Sequence, residues 1–127
     1  MSVDTMVDVV LFEPDLLFSS KIESTAKRLN VNLKVITDIG ELTHELETGK
    51  STSFILNLDS LEGKLSIFQN HVDNSTLTGY YSHVKAQLAD EAKRAGIQTV
   101  VSRGAFASRI QEILADISTK QGVARSG

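Results

Sequence analysis

Apolar positions in this 127-residue chain follow two alternating periods, and their order defines its elements. A nearly continuous apolar stretch from Val7 to Phe12, rich in β-branched residues, predicts a strand buried on both faces of a parallel sheet. It stops at Glu13-Pro14-Asp15, with Pro14 at the start of a first helix, where proline is tolerated. Leu16, Leu17, Ile22, Ala26 and Leu29 then recur at helical spacing to about Asn30, with Lys21, Glu23, Lys27 and Arg28 on the outer side. Val31 to Thr37 alternates like a less buried strand. Asp38 caps a helix from Ile39 to Glu47, weakened by Gly40 and stopped by Gly49.

The third unit has a strand from Ser53 to Leu58. Leu65, Ile67, Phe68 and Val72 then suggest a short helix, followed by the turn-forming Asp73-Asn74-Ser75. Thr76 to Tyr81 predicts a fourth strand. Ser82 is typed as the N-cap of a helix from Val84 to Ala95, closed by Gly96. A fifth strand from Gln98 to Val101 precedes a last helix from about Ala105 to Ile117, its apolar side carrying Phe106, Ile110, Ile113, Leu114 and Ile117. Five strands alternating with helices predict an α/β domain whose parallel sheet is covered on both faces, built by right-handed crossovers. Residues 1–117 make one domain by size, and 118–127 read as a flexible polar tail.

Composition narrows the function. The net charge is −3 and the thirteen basic residues are scattered, which argues against nucleic acid as an obligate partner. With no cysteine there is no disulfide and no thiolate metal site. No segment has the length of a membrane span, and the acidic N-terminus is no signal peptide, so a cytoplasmic location is expected. Neither G-x-G-x-x-G nor G-x-x-x-x-G-K-[ST] occurs, and His44, His71 and His83 lack zinc spacing. Motifs do not exclude a flavin, although only two tyrosines and no tryptophan could stack on one.

In open parallel sheets, sites form at the C-terminal tips of strands where the winding reverses. The readable tips are Glu13-Pro14-Asp15, Asn57-Leu58-Asp59, Ser82-His83 and Ser102-Arg103. The element order, its spacing and the string Ser53-Phe54-Ile55-Leu56-Asn57-Leu58-Asp59 resemble the receiver domain of two-component response regulators over about residues 7–117. Tyr80-Tyr81-Ser82-His83-Val84 and Arg103-Gly104-Ala105-Phe106 look like those of a stand-alone subgroup of divergent receivers, the pseudo-receivers.

The resemblance implies a flavodoxin-like sheet of order 2-1-3-4-5, and it shows where this chain departs from the family. A receiver's phosphoacceptor aspartate falls at Asn57, whose amide is a poor nucleophile and carries no charge for a metal. The paired acids that bind magnesium become Glu13-Pro14, with Asp15 two residues on. Asp15 is expected inside the first helical turn, where complementing the helix dipole is its simpler role. Asp59 would share a face with Asn57 in a continued strand and is an alternative acceptor. Glu13 and Asp59 are the weak metal candidates.

Ser82 matches the hydroxyl residue that senses the phosphoryl group, but a cap explains it as well. His83 reads as a surface histidine. Lys-Pro becomes Arg103-Gly104, and Arg103 either pairs with Glu13 or Asp59 or is solvated.

The expectation is therefore a non-enzymatic, phosphorylation-independent signalling module without a cofactor. It would act on a protein partner, or as a homodimer, through a face drawn from Lys85, Gln87, Lys93, Thr99, Ser108, Arg109 and Glu112. No output domain follows residue 117, so a signal would leave by surface contact. The alternatives are a response regulator phosphorylated on Asp59 with magnesium, and a small-molecule or flavin binder.

Overall fold

Three buried strands and two half-covered edge strands build the sheet. A computed structural model describes residues 7–48, 53–69, 76–82 and 86–117. The elements run β1 (Val9–Phe12), α1 (Leu16–Arg28), β2 (Leu33–Ile36), α2 (Ile39–Thr48), β3 (Ser53–Asn57), two 3₁₀ turns (Leu58–Leu61 and Leu65–Phe68), β4 (Thr76–Tyr81), α3 (Ala86–Arg94), β5 (Thr99–Ser102) and α4 (Arg103–Ser108). Residues 110–117 form α5. The five strands make one sheet of order β2-β1-β3-β4-β5, and every neighbouring pair is parallel. This is the order expected from the resemblance. No helix among the described residues is long and apolar enough to cross a membrane.

Side chains alternate across the strands and divide the core in two. On one face Val10, Phe12, Phe54, Leu56 and Leu77 meet α2, α3 and the 3₁₀ turns through Leu42, Leu46, Leu58, Phe68 and Leu88. On the other face Val9, Leu11, Ile55 and Tyr80 meet α1, α4 and α5 through Phe18, Ile22, Phe106, Ile110 and Leu114. Two helices return to the sheet by the same device. Asn30 (φ 58°) and Gly96 (φ 100°) take left-handed conformations after α1 and α3. The next amides, on Val31 and Ile97, donate back to the carbonyls of Ala26 and Ala92. Each Schellman closure thus delivers an apolar residue to the core.

Several boundaries differ from the sequence expectation. Helix α1 begins at Leu16, with Asp15 as its N-cap, so Pro14 precedes the helix and does not start it. Leu16 and Leu17 lie off the buried stripe, 69% and 86% exposed, because Phe18, Ile22 and Ala26 set the inward phase. The chain leaves the sheet after Asn57, not Leu58, and turns into the first 3₁₀ segment. Strand β5 is shifted one residue, to Thr99–Ser102. The last helix starts at Arg103 and breaks at Arg109 (φ −121°), whose amide bonds Phe106 in a 3₁₀ contact before Ile113 resumes the α pattern on Arg109. The predicted positions of Gly49, Val72, 73–75, His71, and the start of the third helix at 83–85 lie outside the described residues.

Candidate functional site at the strand tips

Residues of alternate parity on neighbouring strands reach the same face at the C-terminal edge. In the register, Asn57 of β3 lies beside Tyr80 of β4, and Glu13 follows directly on β1. All three converge on the α1 side of the sheet. Glu13 is fully buried. Its Oε1 accepts from the Tyr80 hydroxyl at 2.5 Å. Its Oε2 accepts from Asn57 Nδ2 and from the Asp15 amide, each at 2.9 Å. Hydrogen bonds to a charged acceptor are worth roughly 1.5–3 kcal/mol each, and a buried carboxylate without them is costly. Burial and the bond to Glu13 push the Tyr80 phenol far above its ordinary range.

Asn57 uses both ends of its amide. While Nδ2 donates to Glu13, Oδ1 accepts from the Ser60 amide at 3.3 Å and caps the first 3₁₀ turn. An aspartate could make the second contact but not the first. The turn also carries Asp59 off the strand line, so it does not share a face with Asn57 as an extended strand would require. Asp59 Oδ2 instead accepts from the Ser82 amide at 2.7 Å, tying the turn to the end of β4.

Asp15 stands at the N-cap, outside the first turn. Its Oδ1 accepts from the Leu17 amide at 2.9 Å, so it caps α1 from outside the turn in which the sequence placed it. Its Oδ2 lies 3.5 Å from Arg103. Arg103 therefore pairs with Asp15, not with Glu13 or Asp59. Its guanidinium lies 4.1 Å from the Phe18 ring centroid, because α4 begins at Arg103 itself and turns it toward α1. The ion pair is half-exposed and contributes less than about 1 kcal/mol; the cation–π contact is of similar size. Under it, Tyr80 stacks on Phe106 at 4.7 Å, and Phe18 meets Tyr80 edge-on at 5.4 Å. Ser102, at the same tip, caps α4 by accepting from the Ala105 amide at 3.1 Å.

The structure thus brings Glu13, Asp15, Asn57 and Arg103 to one end of the sheet, with Asp59 and Ser82 as a linked pair beside them. Sequence reasoning missed Tyr80 and Phe18. The signal for Tyr80 was the register: a residue aligned with Asn57 on the next strand shares its face.

Magnesium needs several accessible oxygen ligands in octahedral array. Here Glu13 is buried with both oxygens bonded, and Asn57 Oδ1, Asp15 Oδ1 and Asp59 Oδ2 each hold a backbone amide. Among the described residues no three acidic or imidazole side chains are grouped to hold a metal ion. The donor set does not fit the ion.

A response regulator from Hahella chejuensis superposes with a TM-score of 0.73 at 15% identity, covering 86% of this chain and 92% of its own. The chain has the receiver fold. A receiver domain from Rhodospirillum rubrum gives 0.66 at 15% identity over 87% and 93%. A response regulator from Thermotoga maritima gives 0.65 at 12% over 86% and 94%. No family model and no curated protein matches the chain.

On this fold, Gln87, Lys93, Thr99, Ser108, Arg109 and Glu112 are all exposed. Arg109 pairs with Glu112 at 3.1 Å. Lys85 and His83 lie outside the described residues, and His44 is exposed.

Proposed function

We propose that this chain is a non-catalytic, phosphorylation-independent signalling module on the receiver fold, working through protein contact in the cytoplasm without a metal. The Asn57 amide that donates to buried Glu13 carries this reading. It replaces the acceptor carboxylate with a donor and uses the first-tip acid to hold strands together. Whatever the module recognises must then be read from its surface, for which the α3, β5 and α5 side with Lys93, Thr99, Arg109 and Glu112 is the candidate.

An amide NMR titration with magnesium, then with magnesium and beryllofluoride, tests it. The expected result is no saturable shift at Glu13, Asn57, Asp59, Ser82 or Arg103. Saturable shifts there, spreading into residues 86–112, would overturn the proposal and favour phosphoryl chemistry on Asp59.

A further inference from the structure

The first turn of α1 places apolar side chains where the helix itself has no use for them. It reads Leu16-Leu17-Phe18-Ser19 and contains no acid. Phe18 and Ser19 are buried, while Leu16 and Leu17 are 69% and 86% exposed. Among the described residues these two are the exposed large hydrophobic side chains. Pro14 and Asp15, just before them, are exposed as well. A solvent-facing position in a first helical turn favours Asp or Glu, which complement the helix dipole, and a leucine there gains nothing from water. One exposed leucine is ordinary, but two adjacent ones beside a proline make a contiguous apolar patch.

The extent and charge of the patch say what covers it. A partner helix laid along α1 would need apolar anchors recurring at i, i+3, i+4 and i+7. Beyond Leu17 the outer side of α1 carries Ser20, Lys21, Glu23 and Ser24, all exposed, so the apolar surface ends within one turn. Its rim holds one charge of each sign, Asp15 and Arg103, with side chains 47% and 38% exposed. Their separation of 3.5 Å is longer than the roughly 2.7–3.2 Å of a well-made hydrogen bond. A carboxylate oxygen and a guanidinium can each take a further partner. An apolar centre with one acid and one base on its rim is complementary to itself. A two-fold axis through the leucines sets apolar surface on apolar surface and each Asp15 against the partner's Arg103.

We infer that Leu16 and Leu17 form the centre of a symmetric contact between two copies of this chain, rimmed by reciprocal pairs of Asp15 with the partner's Arg103. The patch is small, so the dimer is weak and forms at high protein concentration. This surface is distinct from the α3, β5 and α5 side, and the contact does not depend on the function proposed for the strand-tip network.

Sedimentation equilibrium of the full chain between about 10 μM and about 1 mM covers the range of weak association. The expected result is a reversible monomer–dimer equilibrium, with concentration-dependent amide NMR shifts at residues 15–17 and 103–105. Leu17→Glu puts a charge at the centre of the contact and is expected to raise the dissociation constant about tenfold or more. The same substitution supplies an acid where the α1 dipole favours one, so the thermal midpoint is expected to hold or rise. Arg103→Glu sets like charges against each other across the axis and is expected to weaken the dimer by a similar factor. The inference is overturned by a monomer throughout the range, by a dimer whose shifts fall on the α3, β5 and α5 side instead, or by undiminished association in either folded variant. Leu17 is exposed enough for its variant to keep the fold, so a folding defect in Arg103→Glu leaves the test decisive.

Discussion

Asn57 holds two strands and a turn through one planar group, and a carboxylate cannot do the same work. Asn57→Asp keeps the cap on the Ser60 amide but removes the donor to Glu13 and sets a second acid against it. The expected cost is about 2 kcal/mol or more, read as a lower midpoint in urea denaturation with an unchanged slope. An unchanged midpoint would mean that the Asn57–Glu13 bond does not hold the tips together. Tyr80→Phe keeps the ring stacked on Phe106 but leaves Glu13 Oε1 without its donor. It should cost about 1–3 kcal/mol in the same assay. An equal loss from Tyr81→Phe would show that the effect is not specific to the Glu13 contact. Asn57 was conspicuous in the sequence because a family position named it. Tyr80 was not, because a phenol one residue before a strand end reads as packing until the neighbouring strand's register is known.

The elements were legible where one period dominates. The apolar cores of β1, β3 and β4 needed no tertiary information, and β4 has the bounds expected for it. The phase of α1 was lost because Leu16 and Leu17 mimic a stripe that Phe18, Ile22 and Ala26 form in fact. The break at Arg109 was hidden because the apolar positions on either side keep helical spacing across it. Arg103's partner was hidden too, since it depends on where α4 starts relative to α1. One close approach between elements was equally invisible. A Cβ on Gly79 of β4 would lie 2.8 Å from the Leu58 side chain, so the first 3₁₀ turn packs directly on the strand backbone. Gly79→Ala should therefore destabilise by about 1–3 kcal/mol, seen as a lower thermal midpoint. A neutral result would show that Leu58 moves aside freely.

For the whole molecule, the buried phenol couples stability to alkaline pH. The Tyr80 hydroxyl is pushed up from its ordinary value of 10.0, mainly by burial and next by the bond to Glu13. The folded chain keeps that proton while the unfolded chain releases it above about pH 10, so the unfolded state binds fewer protons and stability falls as pH rises. Below pH 10 the contribution is fully present; above it the loss approaches about 1.4 kcal/mol per pH unit. Denaturation of the native chain and Tyr80→Phe between about pH 9 and pH 11.5 should show the gap between them narrowing. Parallel curves would rule out Tyr80 as the source. The same contact has an optical consequence. The chain has no tryptophan and two tyrosines, so its tyrosine emission is not masked by an indole. An excited phenol is a far stronger acid than one in its ground state, and it loses its proton to a hydrogen-bonded carboxylate before it can emit. Tyr80 emission is therefore expected to be quenched while Glu13 holds the hydroxyl and to rise when the tips separate, so native tyrosine fluorescence becomes a label-free test of whether this network is closed.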